Sequence, residues 1–206
     1  DEGRAFVFHI RRGAKWSNGD PITAHDFYYS WKRALEPATA AQYAYQLYYI
    51  KNAEAYNSGA LKDFSQVGLR VEDDYTFRVE LTNPTPYFLD LTSFYTLFPV
   101  HQKTVEKWGD MWVKPGRIVS NGPFILKEWN IRDGIYMEKN PNYWDKDNVK
   151  INSVLALPNE DTSTGFNMYE KGGAEWVESG SMPTYLMDLL LKRPDTHSAP
   201  YLGIYF

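Results

Sequence analysis

Residues 6–26, FVFHIRRGAKWSNGDPITAHD, constrain this 206-residue chain more than any other stretch. Phe6, Phe8 and Ile10 alternate with Val7, His9 and Arg11, which predicts a strand with one more apolar face. After Gly13 comes Ser17-Asn18-Gly19-Asp20-Pro21. Asn-Gly tolerates positive φ and proline fixes the exit, so a tight turn is predicted there. Thr23 then stands at an N-cap position with Asp26 three residues on as a short capping-box partner. A helix over residues 24–35 follows, with Phe27, Trp31 and Leu35 at i, i+4 and i+8 and Tyr28 flanking them. One aromatic stripe therefore faces inward, and Pro37 ends the helix.

The rest of the chain reads as a succession of short elements. Residues 39–50, TAAQYAYQLYYI, have a spacing that suits a helix, with Tyr45 and Tyr49 on one side and Tyr43 on another. A second helical piece over 51–57 ends at Ser58-Gly59. Residues 67–81 predict a hairpin, VGLRV and YTFRVEL, turning at Glu72-Asp73-Asp74. Short helices are expected over 87–91 and 102–108. A second hairpin is expected from FILKEW and IYMEKN around a turn at 130–134. A strand over 151–157, a helix over 160–171 stopped by Gly172-Gly173, a strand over 174–177 and a Leu-rich helix over 183–192 complete the reading, with a final strand over 201–206. Trp16, Trp31, Trp129 and Trp144 are assigned to core or turn packing. A chain that stops within the apolar strand YLGIYF is expected to be a piece of a larger protein.

Composition narrows the classes of function. A formal charge of −4, with lysines and arginines scattered, gives no clustered basic face for nucleic acid. Arg11-Arg12-Lys15 is the densest basic group and reads as a solvated corner. No apolar run approaches the roughly 20 residues that span a bilayer. The absence of cysteine removes disulfides, thiolate metal sites and cysteine nucleophiles. His9, His25, His101 and His197 follow no metal spacing, and no G-x-S-x-G elbow, phosphate loop or H-E-x-x-H occurs. The adjacent carboxylates Asp73-Asp74 and Glu160-Asp161 fall at a turn and at a helix start, where negative charge is favoured by the helix dipole. No cofactor is expected. Aromatic residues make up 17% of the chain, with 16 tyrosines, and Tyr pairs an apolar ring with a polar tip suited to adaptable binding surfaces.

The segment FHIRRGAKWSNGDPITAHDFYYSWKR resembles the signature of the extracytoplasmic oligopeptide-binding proteins of ABC importers, solute-binding family 5. GLRVEDDYTFRVELTNPTPYFLDLT, VEKWGDMWVKPGRIVSNGPFILKEW, MEKNPNYWD and PYLGIYF follow in the family's order, so the resemblance covers essentially the whole chain. It implies an α/β protein of the type II periplasmic-binding-protein kind, here partial, with no catalytic role. Residues 1–100 resemble an accessory small subdomain and residues 101–206 part of the first ligand-binding lobe, with the second lobe expected beyond Phe206. The implied partners are short peptides and the membrane subunits of an ABC permease, not nucleic acid, and the full-length protein is expected to be monomeric. The implied location is the periplasm, or a lipid anchor on the outer face of the cytoplasmic membrane in a Gram-positive host. A peptide sensor coupled to signalling is the alternative within the same fold.

By the same resemblance Tyr43 matches a tyrosine lining the peptide site, Tyr201 and Phe206 match aromatic positions at the strand entering the hinge, and Glu178 lies in a loop facing the cleft. These four are the candidate ligand contacts. Three departures bear on ligand preference. Phe206 stands where a tyrosine is usual, and Gly203 where some members carry a cysteine, so their disulfide cannot form here. The Glu178 loop lacks the family's tyrosine.

Overall fold

The computed structural model describes residues 3–159, 161–178, 180 and 182–198, which fall into two compact units. The first comprises Asp1–Asn130 and Gly134–Ala156, and the second Ile131–Asp133 and Leu157–Phe206. The expected subdivision near residue 100 falls inside the first unit.

Strand β1 (Ala5–His9) pairs antiparallel with β3 (Thr76–Glu80), which pairs antiparallel with β2 (Leu69–Asp73), giving the order β1-β3-β2. In this register Phe6 faces Val79 and Phe8 faces Phe77 across the ladder. The odd residues of β3, Phe77 and Val79, are therefore buried, while Val7 and His9 of β1 face outward. Helix α1 (Ala24–Leu35) packs on this sheet and starts and ends where its cap and its proline predict. The capping box is complete: the Thr23 backbone N–H donates to Asp26 Oδ2 at 2.7 Å, and the Thr23 side chain accepts from the N3 backbone N–H. Trp31, Leu35, Phe77, Val79, Leu47, Phe88 and Leu97 form the centre of the core. The indole N–H of Trp31 donates to the Leu97 carbonyl at 2.8 Å, so even the polar atom of this buried ring is satisfied.

Residues 39–50 do not form the expected helix. Ala40 is left-handed at φ 48°, and only a 3-10 turn, Ala44–Leu47, remains. Pairing with the far end of β3 outcompetes helical spacing: Thr82 N–H donates to the Tyr49 carbonyl at 2.9 Å and Lys51 N–H to the Glu80 carbonyl at 3.0 Å. Helix α2 (Ala53–Asn57) starts after left-handed Asn52. Helices α3 (Phe88–Leu91) and α4 (Gln102–Trp108) agree with their patterns.

The second sheet joins β4 (Phe124–Asn130), β5 (Gly134–Lys139) and β6 (Ser153–Ala156) in sequence order, all antiparallel. Apart from buried Gly134 the sheet is half-buried or exposed, and Trp129 at 49% exposure is a surface residue rather than core. Trp144 is likewise half-exposed. It packs in a turn, as expected, with the Arg11 guanidinium 3.9 Å from its ring centroid.

The opening segment ties this unit together. Trp16 N–H donates to the Asp20 carbonyl and Ile22 N–H to the Ala14 carbonyl, closing a small hairpin whose turn holds Gly19 at φ 93°. From that turn Ser17 N–H donates to the Ser120 carbonyl at 2.7 Å, and the Asn142 side chain donates to the Ser17 carbonyl at 3.0 Å. Asp20 Oδ2 lies 2.9 Å from His101 Nε2, and Thr104 Oγ1 lies 2.7 Å from the other ring nitrogen of that buried histidine. The Asn-Gly turn thus links the first sheet's layer to α4 and to the chain around the second sheet.

Hydrogen bonds from the Asn18 and then the His101 side chains hold the Asp20 carboxyl below its ordinary value of 3.8. A depressed carboxyl stabilises the folded state above its unfolded pKa and loses that contribution as acid protonates it. The stability difference between the natural protein and Asp20→Asn should therefore be full at neutral pH and shrink below about pH 4. Thermal melts across that range check this, and a difference constant from pH 7 to pH 3 would contradict it.

In the second unit α5 (Thr162–Glu170) is capped by Asp161, whose Oδ1 accepts from Thr164 N–H at 2.9 Å. Gly172 at φ 72° ends it. Residues 174–177 are irregular rather than a strand. A 3-10 turn, Thr184–Leu186, leads into the short α6 (Met187–Leu190), less helix than the Leu-rich pattern predicts. Arg193 pairs with Glu170 at 2.6 Å and with Asp195 at 2.8 Å, and Asp195 also accepts from the Tyr169 hydroxyl. The expected strand over 201–206 lies outside the described residues.

Candidate ligand-binding surface

Two 3-10 turns build an aromatic surface on the first unit. In Ala44–Leu47 the residues Ala44 and Leu47, three apart and so on one side of a 3-10 turn, are buried. That leaves Tyr43 half-buried at the N-cap and Tyr45 facing out. In Tyr95–Leu97 the anchor is Leu97, buried in the core with its carbonyl held by Trp31, which turns Tyr95 outward at 58% exposure.

The four rings meet in a herringbone. Tyr43 stands edge-on to Phe94 (centroids 5.3 Å, planes at 72°) and to Tyr95 (5.7 Å, 86°) and is tilted against Tyr45 at 5.9 Å. Phe94 and Tyr95 stack at 4.3 Å. Edge-to-face and offset-stacked geometries place positive ring edges on negative ring faces. Desolvation by these neighbours, and then hydrogen bonding with the Tyr43 hydroxyl, raise the pKa of the Tyr95 phenol, so it remains a neutral donor and acceptor at physiological pH.

Of the four candidate ligand contacts, Tyr43 sits in this cluster and Glu178 is exposed in an irregular stretch of the second unit. Tyr201 and Phe206 lie outside the described residues. Phe94 and Tyr95, which share the surface with Tyr43, follow no amphipathic period. Their only signal in the sequence is an adjacent Phe-Tyr pair after Ser93. A shallow groove between β4, β5 and the following turn, lined by Ile125, Lys127, Glu138 and Lys146, holds charges that are partly paired internally, Lys127 with Glu138 at 3.1 Å. Among the described residues no group of three or more His, Asp or Glu could hold a metal, and no helix is long and apolar enough to cross a membrane.

Residues 1–206 match the family model of the bacterial extracellular solute-binding proteins, family 5 Middle, and the chain belongs to that family. It is 43% identical over 208 residues to the oligopeptide-binding protein OppA of Bacillus subtilis, covering 100% of this chain and 38% of that protein. It is 40% identical over 207 residues to the periplasmic oligopeptide-binding protein OppA of Salmonella typhimurium, with 98% of this chain and 38% of that protein covered. The crystal structure of Haemophilus influenzae OppA in complex with the peptide RPPGFSPFR matches with a TM-score of 0.86 at 41% identity, over 93% of this chain and 37% of that one. The chain thus spans somewhat over a third of the length of these relatives. Its fold is part of the type II periplasmic-binding-protein-like α/β architecture that the solved neighbours share.

Proposed function

We propose that the protein containing this chain captures oligopeptides outside the cytoplasmic membrane and delivers them to an ABC-type permease. The observation that carries this reading is the match of the whole chain to family 5 together with its 38–43% identity to proteins named as oligopeptide binders. Residues 1–100 serve as the accessory subdomain and 101–206 as part of the first ligand-binding lobe, and the full-length protein is a monomer. Tyr43, Tyr201, Phe206 and Glu178 contact the peptide. The location is the periplasm, or the outer face of the cytoplasmic membrane through a lipid anchor in a Gram-positive host. Solved neighbours named as oligopeptide ABC transporter proteins favour import over sensing.

Extended peptides are recognised through main-chain hydrogen bonds that give affinity, with side-chain pockets supplying specificity. Titration calorimetry of the full-length protein with a mixed pool of tri- to pentapeptides tests the reading. Affinity of roughly micromolar or tighter, about −8 kcal/mol, is expected, with the peptides recovered uncut by mass spectrometry. Absence of heat and of any thermal shift across the pool would refute it, and cleaved peptide would replace binding by hydrolysis.

A further inference from the structure

We propose that the outward face of Tyr95, with Tyr43 and Tyr45 beside it, is a side-chain subsite that selects aromatic residues of the bound peptide; this rests on the peptide-binding reading above. The geometry is that of an unfinished herringbone. Tyr43 already meets Phe94 and Tyr95 edge to face, and Phe94 covers one face of Tyr95 at 4.3 Å. The stacked partner accounts for one side of the Tyr95 ring, yet the residue remains 58% exposed. A further ring placed against the free side at the 5–6 Å spacing of the existing pairs would continue the same packing.

Two features make the shelf rigid and selective. Tyr95 follows directly on Phe94 in a 3-10 turn whose last residue, Leu97, is fixed in the core by the Trp31 hydrogen bond, so its backbone cannot easily retreat. The ring neighbours of the shelf are themselves aromatic, Tyr43, Tyr45 and Phe94. A charged peptide side chain would lose water against these rings, whereas a phenyl or phenol ring would bury apolar surface against them. The shelf adjoins Tyr43, the candidate contact in this unit, so its occupant is a neighbouring side chain of the same peptide.

The test uses the full-length protein and a series of tri- and tetra-alanine peptides carrying Phe, Leu, Asp or Lys at each position in turn. At one position Phe should bind roughly tenfold tighter than Ala, with Asp and Lys weaker than Ala. In Tyr95→Ala that Phe-to-Ala ratio should fall towards one, and Tyr95→Phe should preserve most of it. Tyr87→Ala, which removes another exposed tyrosine of this unit outside the shelf, should leave the ratio unchanged. A ratio that survives in Tyr95→Ala overturns the proposal. So does a Tyr95→Ala protein that melts earlier with its preference intact, since Tyr95 would then be covered by another part of the full-length chain. If the natural protein binds none of the peptides, the peptide-binding reading itself fails.

Discussion

Trp31→Ala is expected to destabilise the folded protein by about 3–5 kcal/mol, the largest effect of any substitution considered. Trp31 is 2% exposed and stands edge-on to Phe77 at 5.2 Å and to Phe88 at 6.4 Å. Removing the indole opens a cavity between α1 and the first sheet and deprives the Leu97 carbonyl of its donor. Trp31→Phe separates the two contributions. It keeps most of the apolar contact but orphans the carbonyl, so a loss of about 1–3 kcal/mol is expected. Urea unfolding of the natural protein and both variants checks the order. Equal losses for Phe and Ala would show that the hydrogen bond, not the packing, dominates. The Leu97 anchor also sets the Tyr95 turn, so Trp31→Phe should weaken any preference for aromatic peptides even where the fold survives.

Gly68→Ala is expected to cost about 3 kcal/mol for a different reason. Gly68 lies just before β2, where three backbones converge. Its N–H donates to the Lys51 carbonyl at 2.9 Å, and its carbonyl accepts from Glu80 N–H at 2.7 Å. A Cβ at this position would sit 2.4 Å from the Glu80 carbonyl oxygen and 3.0 Å from Lys51 Cβ. Because the obstacle is backbone, relief requires the strand itself to move. Gly122 is a useful contrast, because a Cβ there meets nothing within 4 Å. Gly122→Ala should change stability far less, and comparable losses at the two sites would contradict the steric account.

What was legible in the sequence follows from where the determining interactions lie. The boundaries of α1 are local: a capping box within four residues at one end and a proline at the other, with an aromatic stripe between. The hairpin of β2 and β3 and the extent of α4 are equally local. Residues 39–50 misled because their helical spacing competes with hydrogen bonds to Glu80 and Thr82, some thirty residues away. Trp129 misled because its strand lies at the edge of a thin sheet, where an alternating pattern does not bury a whole face.

The candidate surface divides in the same way. Tyr43 was reached through the family resemblance, not through any periodicity. Phe94 and Tyr95 became visible only once folding carried them across fifty residues to Tyr43. The opening segment gained a second role. It is scaffold, as its dense strand, turn and cap imply, and its Asn-Gly turn also bonds to His101, Ser120 and Asn142.

If this chain belongs to a peptide carrier, the ligand that travels with the protein should itself be peptide. Full-length protein purified without denaturation should, on native mass spectrometry followed by release in acid, yield a mixture of short peptides of varied sequence, enriched in those with an aromatic side chain. Release of a single non-peptide solute, with peptides failing to displace it, would contradict the account.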